Sequence, residues 1–372
     1  MGESTTWIGL DVHQASVTAA VWAPGASAPT VSAAPAEVAK LVAWVRKVAA
    51  GTAVQVAYEA GPCGYPLARA FAAAGLACTV VAPSLIPQPA GGHRQRIKTD
   101  RRDARQLVTY LRQGLLTAVH QPTESEEALR ELTRARQQLQ RDVVRARHRV
   151  SKLLLRHGQR WTQTKPWTRA YRTWVRDLVW AEPAVALVCR LYLEALASAE
   201  QRVAAADAAL ATWALPAAVQ APVGALQCFR GIDRLTALTL VAEIGDARRF
   251  GSARALMHYT GLTCWEWSSA ARRRQGGISK MGNAHLRRAL VEAAWHYRYA
   301  PNTGARLRTR QQGQPAPAIA HAWTAQTRLH QKAKRLLARG KRPTVVTTAV
   351  ARELAGFVWA VWHLPTAAPT VA

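Results

Sequence analysis

The sequence predicts an α/β domain followed by mostly helical regions, and three patterns support this prediction. Short runs rich in β-branched and aromatic residues alternate with helical stretches over residues 7–82. Over residues 124–156, apolar residues recur at the spacing of a coiled coil. Beyond Pro216, helical patterns continue almost to the end of the chain, interrupted by one stretch rich in glycine and arginine.

The first 117 residues carry the pattern of a mixed sheet. Two strands in tight succession are followed by strands joined through helices, an order typical of such sheets. The predicted strands are Trp7–Val12, Ser16–Trp22, Ala53–Glu59 and Ala77–Ala82, and the predicted helices span residues 36–47 and 65–74. A basic loop, residues 91–98, then leads into a helix that begins near Thr99.

Residues 118–215 are predicted to form a helical insertion built on a coiled coil. The seam residues recur at spacings of four, three, four and three, and they are Leu139, Val143, Ala146, Val150 and Leu153. Eight basic residues lie on the other faces, namely Arg130, Arg134, Arg136, Arg141, Arg145, Arg147, Arg149 and Lys152. Two interpretations stay open for them, a solvated face or a surface that lines phosphates. A second helix, residues 185–210, would return antiparallel to the first after a Trp-rich connection.

Residues 216–372 are predicted to form a third, mostly helical domain. Pro216 and Pro222 mark its start. The turn Arg230-Gly-Ile-Asp233 lies between two helical stretches and resembles a helix-hairpin-helix element, which binds phosphates. The last helical segment, residues 318–362, is basic and is broken at residues 340–343.

The charge of the chain points to a polyanionic partner. Lys and Arg number 50 against 22 Asp and Glu, which gives a formal net charge of +28. Arginine is spread through segments with folded patterns, and this favours nucleic acid over a ribosomal or membrane-surface role. Charge alone does not separate DNA from RNA.

The cysteines and the hydropathy pattern predict a soluble protein of the cytoplasm. The five cysteines form no C-x-x-C pair, so we expect buried free thiols rather than a zinc ribbon or a disulfide framework. No basic-then-apolar leader opens the chain, and no run of about eighteen apolar residues occurs. We therefore expect no contact with a membrane.

Four carboxylates in the first domain form a candidate metal site. Asp11 and Glu59 end predicted strands, and Asp100 and Asp103 lie three residues apart on one helix face. Carboxylates gathered in a basic domain repel one another unless hard cations neutralise them, and Mg²⁺ is the natural candidate. Two ions about 4 Å apart would suit phosphoryl transfer. The alternative is that Asp11 caps a turn and Asp100 caps a helix, which does not explain Glu59.

These residues carry a resemblance to a known family. The motifs Ile8-Gly-Leu-Asp11-Val-His, Tyr58-Glu59-Ala-Gly-Pro-Cys-Gly-Tyr65 and Lys98-Thr-Asp100-Arg-Arg-Asp103 resemble the DEDD domain of IS110-family transposases. The resemblance implies a RuvC/RNase H-like fold for this domain. It also implies that the four carboxylates are catalytic metal ligands.

A second segment resembles the serine region of the same family. Gly261-Leu-Thr-Cys-Trp-Glu-Trp-Ser268-Ser269 matches it, and the resemblance implies that Ser269, or its rival Ser268, is a nucleophile. The residues alone favour a turn, because serines in polar loops usually serve turns or caps. The chain departs from the family at Cys264 and Ala270, and it has Gly231-Ile-Asp where Gly-Ile-Gly is commoner.

The basic residues around both motifs are expected to contact nucleic-acid phosphates. Basic groups position the backbone rather than read bases. The candidates are Arg94, Arg96, Lys98, Arg272, Arg273, Arg274, Lys280, Arg287 and Arg288. His285 and Asn283 could contact DNA or cap a helix, and the cap is favoured.

The resemblance implies a transposase that excises and inserts its own element through metal-assisted serine attack on phosphodiesters. The implied partners are donor and target double-stranded DNA, a noncoding bridge RNA, and further copies of the chain in a dimer that assembles to a tetramer. In a bacterium, we expect the protein in the cytoplasm, at the nucleoid when it is bound to DNA. Two rival hypotheses are a metal-dependent junction nuclease with a structural Ser269, and a noncatalytic nucleic-acid-binding scaffold.

Overall fold

Two units make up the computed structural model, which describes residues 5–87, 99–163, 165–213, 215–269 and 272–365. The chain divides into Met1–Gln121 and Pro122–Ala372. The finer division of the sequence, with boundaries after residues 117 and 215, stays a prediction. Separate hydrophobic cores lie in the two units.

The first unit is built on a five-stranded mixed sheet. In chain order its strands are β1 (Thr5–Val12), β2 (Val17–Trp22), β3 (Thr30–Ala34), β4 (Ala53–Glu59) and β5 (Ala77–Val81). They lie side by side in the order β3-β2-β1-β4-β5. β1 runs antiparallel to β2 and parallel to β4, and this confirms the predicted mixed sheet.

Strand β3 lies at the edge of the sheet and was missing from the sequence prediction. It contains a single large apolar residue, Val31, and three of its five residues are exposed. Its ladder with β2 pairs Thr30 with Val21 and Ala34 with Val17. Backbone pairing with β2, rather than an alternating apolar pattern, therefore defines this strand.

Helices cover both faces of the sheet. They are α1 (Val38–Ala49), α2 (Pro66–Ala73) and α3 (Asp100–Arg112). Leu41 of α1 and Phe71 of α2 share one core with Leu10 of β1. On the opposite face, Val108 of α3 packs against Ala20 of β2. The central strands are therefore enclosed between helices, as the nearly continuous apolar pattern of β1 and β2 requires.

The second unit begins with a long antiparallel helix pair. α4 (Glu124–Arg156) and α6 (Pro183–Thr212) are joined through the short α5 (Arg169–Arg176). The side chain of Thr123 caps the first turn of α4. Val143 of α4 packs with Val203 of α6, whereas Val150 packs with Cys189 nearer the other end. The predicted seam and the predicted antiparallel return are both confirmed.

The rest of the second unit, where the structure describes it, is helical apart from one hairpin. Its elements are α7 (Ala217–Gln227), α8 (Arg234–Ile244), α9 (Ala253–Tyr259), β6 (Cys264–Ser269), β7 (Arg272–Ile278), α10 (Ala284–Ala294), α11 (Ala305–Gln311), α12 (Ala316–Ala338) and α13 (Pro343–Ala360). The helix break near residue 340 is confirmed, with Gly340 at φ 70°. The expectation of a polar loop at the serines was wrong, because that segment is a strand of an antiparallel hairpin.

One helix among the described residues meets the length and composition of a membrane span. The segment Pro343–His363 has a mean hydropathy of 1.3. Val350 and Leu354 are buried in the core of the second unit. Glu353 accepts a hydrogen bond of 2.6 Å from Lys332 of α12. This packing is that of a core helix in a folded domain.

The cysteines are only partly as expected. All five are free thiols. Cys189 and Cys228 are buried, and burial raises the pKa of the Cys228 thiol to about 11. The prediction of burial was wrong for Cys63 and Cys264, which are exposed. Cys264 opens β6, a hairpin strand outside the helical core, and this explains its exposure.

Candidate metal centre and serine hairpin

Asp11 is the last residue but one of β1 and Glu59 is the last residue of β4, and both lie on the same face of the sheet. The β1–β4 register pairs Leu10 with Tyr58, so Asp11 and Glu59 follow at the same level. Leu10 and Tyr58 belong to the core beneath α1 and α2. Because successive side chains of a strand alternate, Asp11 and Glu59 lie on the opposite face, which α3 covers.

Helix α3 reaches this face because Gly9 allows a close approach. A Cβ at Gly9 would lie 2.5 Å from the Ala104 carbonyl oxygen and 2.5 Å from the Val108 nitrogen. Real Cβ atoms do not tolerate such distances, so glycine is required here. Asp100 and Asp103 occupy the first turn of α3. The positive end of the helix therefore lies beside the acidic strand ends, where it stabilises their charge.

His13 completes a group of three potential metal ligands. Its Nε2 atom lies 3.5 Å from Asp11 Oδ1 and 3.7 Å from Asp100 Oδ1. One ligand atom from each residue lies within 4.8 Å of the other two. Sequence reasoning gave His13 no role. The signal was the Asp-Val-His spacing, since residues two apart on an extended chain share a face.

The donor set fits a divalent cation. Two carboxylates and one imidazole converge, and carboxylate oxygens suit Mg²⁺ while an imidazole also suits Mn²⁺. The Asp11 side chain is 16% exposed, whereas those of His13 and Asp100 are 55% and 57% exposed. The group is therefore recessed on one side and open on the other. Glu59 is adjacent to Asp11 on the neighbouring strand, and Asp103 follows Asp100 on the same helix face.

The serine hairpin consists of β6 and β7. Its register pairs Ser268 with Arg273 and Ser269 with Arg272. Ser269 is therefore the last residue of its strand, at the end of the hairpin remote from the helical core. Residue Ala270, which follows it, lies outside the described residues.

The base of the hairpin is held by a dense set of backbone contacts. The Ser279 amide donates to Thr263 O at 2.8 Å, and the Lys280 amide donates to Gly261 O at 3.1 Å. Gly261 has φ 66°, and a Cβ there would lie 2.5 Å from the Met281 carbonyl oxygen. Two chain segments, residues 259–264 and 278–283, therefore meet at a fixed distance where the hairpin leaves the helices.

Beneath this base lies a fully buried carboxylate that sequence reasoning missed. Glu243 of α8 has no exposed side-chain surface. Arg134 of α4 donates to it through two hydrogen bonds, of 2.7 and 2.8 Å. Asn283 donates a third, of 2.6 Å, from Nδ2 to Oε2. Burial raises the pKa of Glu243, but the hydrogen bonds from Arg134 and Asn283 outweigh burial and hold that pKa below its usual value.

Half of the basic residues named for α4 are engaged with other elements of the protein. Arg130 donates to Ala242 O at 3.0 Å. Arg136 pairs with Asp207, and Arg147 pairs with Glu200, both on α6. Four of the eight basic residues named for this helix thus bind other elements of the unit, an outcome that neither sequence interpretation included.

The predicted phosphate-binding residues have varied surroundings. Arg287 donates to the carbonyl oxygens of Thr260 and Lys280, at 3.0 and 3.2 Å. Arg288 pairs with Glu292 at 2.8 Å, and Arg274 is exposed. Arg94, Arg96 and Lys98 lie outside the described residues, and for Arg272 and Arg273 the backbone alone is described. Phosphate contact by this set stays a prediction.

Two further sequence expectations concern helix ends. Asn283 caps α10, because its side chain accepts a hydrogen bond of 3.0 Å from Leu286 N. His285 does not cap that helix; its Nδ1 lies 2.6 Å from Gln137 Oε1. The turn Arg230–Asp233 lies between α7 and α8, as predicted, and Asp233 caps α8.

A mixed sheet with carboxylates at the ends of its central strands, in a strongly basic chain, is typical of enzymes that process nucleic acids. A DEDD transposase model of the IS110 type matches residues 8–158. A model described as transposase, IS116/IS110/IS902 family, matches residues 224–308. These two segments include both acidic strands and the serine hairpin.

Known relatives agree with the family models. A protein of Sinorhizobium fredii, y4qE, whose name marks it as a provisional transposase, is 42% identical over 83% of this chain and 75% of its own. The transposase for insertion sequence element IS1533 of Leptospira borgpetersenii is 32% identical over 78% of this chain and 84% of its own. The chain belongs to the IS110 family of transposases, which confirms the resemblance. The DEDD match covers most of the first unit and continues into α4, and the mixed sheet of that unit is consistent with a RuvC-like domain.

Proposed function

We propose that this transposase cuts and rejoins DNA through attack of Ser269 on a phosphodiester, assisted by divalent metal held at Asp11, Glu59, Asp100 and Asp103. One observation carries the proposal. Asp11 and Asp100 lie far apart in the chain, yet their carboxylate oxygens and the His13 imidazole lie within 4.8 Å of one another. Capping roles explain neither this convergence nor the glycine that permits it.

The chain's residues have distinct tasks in this reaction. The serine Oγ forms a bond to phosphorus while the bond to the leaving deoxyribose oxygen breaks. The serine proton passes to water, and the leaving oxygen takes a proton from water to become a hydroxyl. The phosphoserine link conserves the energy of the broken bond, so the reverse attack by a deoxyribose hydroxyl rejoins DNA without ATP. Bound Mg²⁺ would stabilise the charge that develops on the attacking and leaving oxygens. The carboxylates would hold the cation.

The partners follow from charge and family membership. A net charge of +28 provides for long contacts with phosphate backbones. We propose that donor and target duplexes are bound together with a bridge RNA of the element, so that base pairing supplies sequence choice. We further propose a dimer that assembles to a tetramer, acting at the nucleoid in the bacterial cytoplasm.

The test is a search for a covalent protein–DNA adduct. Protein, element RNA, donor and target DNA and Mg²⁺ are mixed and resolved on a denaturing gel. We expect an adduct in wild type and in Ser268→Ala, and none in Ser269→Ala or Asp11→Asn. Asp142→Asn, an exposed carboxylate of α4, is the matched control for lost charge.

Other outcomes would favour the rival hypotheses. Free cut ends that survive Ser269→Ala would make the protein a metal nuclease with a structural serine. No adduct and no cut ends in wild type, with nucleic-acid binding unchanged in Asp11→Asn, would support a noncatalytic scaffold. An adduct lost only in Ser268→Ala would move the nucleophile by one residue.

A further inference from the structure

Glu243 occupies a position that stability alone does not explain. Its carboxylate has no exposed surface, and burial of a charge is costly unless several hydrogen bonds satisfy it. An apolar residue of similar size is often as stable in such a place. The partners of Glu243 come from two different elements, Arg134 on α4 and Asn283 at the start of α10.

Asn283 connects this carboxylate to the base of the hairpin. Its side chain donates a hydrogen bond to Glu243 and accepts one from Leu286 N, so both its amide nitrogen and its amide oxygen are engaged. Its backbone amide donates to Tyr259 O at 2.9 Å. The preceding Gly282 has φ 115°, and a Cβ there would lie 2.2 Å from that same Tyr259 oxygen. Movement of Asn283 would therefore move both segments from which the hairpin emerges.

Two further residues of α4 contact the surroundings of Glu243 and Asn283. Arg130 lies 3.8 Å from Glu243 Oε2 and donates to the carbonyl of Ala242. Gln137, farther along α4, bonds to His285 in the first turn of α10. The contacts span two turns of α4, so they fix the rotation of this helix as well as its distance.

We propose that Glu243 is a positioning residue that fixes the position of the serine hairpin relative to α4. The inference rests on the proposed role of Ser269. The orientation of the hairpin then depends on α4, the helix that forms the antiparallel pair with α6. A change in that pair, such as the binding of nucleic acid or another protomer along it, would reach the serine through Arg134, Glu243 and Asn283.

The hydrogen bond between Asn283 and Glu243 can be removed without loss of the α10 N-cap. In Asn283→Ser, the hydroxyl still accepts from Leu286 N, because serine is as good an N-cap as asparagine, but it has no amide donor for Glu243. Asn283→Asp also keeps the cap and places a second carboxylate against Glu243. Thr123→Ser, at the N-cap of α4, is the control for a conservative cap exchange.

Hydrogen exchange tests whether Asn283 and Glu243 hold the hairpin base, and adduct formation tests whether the position of the hairpin affects the serine reaction. We expect the amides of Ser279, Lys280 and Asn283, which bond across the hairpin base, to exchange about ten- to a hundredfold faster in Asn283→Ser, as loss of a hydrogen bond to a charged group implies. Asn283→Asp should show a larger effect. Adduct formation at saturating DNA should fall about tenfold, since small misplacements of reacting groups are costly. DNA affinity should stay within about twofold of wild type, because Asn283 makes no predicted phosphate contact.

Three results would overturn the proposal. Unchanged exchange at the hairpin base would show that Asn283 and Glu243 do not hold it. Equally faster exchange in α8, α10 and α13 would reveal loss of overall stability instead of positioning. A loosened hairpin with normal adduct formation would separate hairpin position from catalysis. If wild type forms no Ser269-dependent adduct, the proposed function fails, while exchange still decides whether Glu243 holds the hairpin.

Discussion

Replacement of Gly9 by alanine should disturb the candidate metal centre through the packing of α3 on β1. The new Cβ would lie 2.5 Å from the Ala104 oxygen and the Val108 nitrogen, against an ordinary contact of at least 3.4 Å, so α3 must move outward by about 0.9 Å. Overpacking of this kind costs about 1–3 kcal/mol in the free energy of unfolding. The same shift separates Asp100 from Asp11, and a displacement of about 1 Å lowers a reaction rate by about a hundredfold.

Two measurements test this Gly9→Ala prediction. Calorimetric unfolding should show a lower midpoint, and titration with Mn²⁺ followed by electron paramagnetic resonance should show weaker binding. Gly61→Ala is the matched control, because its Cβ would meet its nearest atom, Glu59 O, at 3.9 Å. Wild-type metal affinity in Gly9→Ala would refute the idea that close packing of α3 on β1 builds the site.

Three further predictions concern other parts of the chain. His13→Ala should weaken Mn²⁺ binding more than Mg²⁺ binding in a calorimetric titration, because imidazole favours Mn²⁺; unchanged affinity for both ions would exclude His13 as a ligand. Arg172 and Arg147 lower the pKa of Glu200 to about 2 from 4.5, although burial opposes them. The ion pairs therefore stabilise the folded state above about pH 4.5, and this stabilisation is lost as the pH falls toward 2. In denaturant unfolding, Glu200→Gln should lower the free energy of unfolding by about 2 kcal/mol at pH 7, with solvent screening allowed for, and leave it unchanged near pH 2. A loss that does not depend on pH would contradict the ion-pair account. Arg274→Ala should lower the slope of log K for DNA binding against log salt concentration by about 1. Lys40 pairs with Glu37, so Lys40→Ala should leave that slope unchanged. Equal slopes in the two variants would exclude Arg274 from the DNA contacts.

Local patterns predicted much of the fold and the acidic part of the candidate site. The strand ending at Glu59 and the helix Glu124–Arg156 have the predicted bounds, because apolar periodicity and end signals agree there. Strand β3 was missed because an edge strand needs only one partner and little apolar surface. The serine strand was missed because its polar and arginine-rich residues match turn statistics.

The contacts that escaped prediction are those between distant segments. Glu243 lies in the apolar stretch Leu238–Ile244, and no local rule indicates that Arg134, more than a hundred residues earlier, satisfies its charge. His13 was visible in a motif, but its role depends on how near α3 approaches, which Gly9 determines. Sequence periodicity reports which face of an element is buried, whereas pairing of buried charges depends on the tertiary structure.

The glycine contact between β1 and α3 would also make a cation at the candidate site a reporter of folding. The ligand atoms of Asp11 and Asp100 come together only after the sheet and α3 have packed, so an unfolded chain has no equivalent site. A cation that binds the folded state alone stabilises it by mass action, by about 2.7 kcal/mol at a hundredfold excess over Kd. On the proposed function, removal of a divalent cation from the candidate site would therefore shift the first unit toward unfolding. On the same proposal, a newly made, incompletely folded chain would bind DNA through its charge before it could cut it.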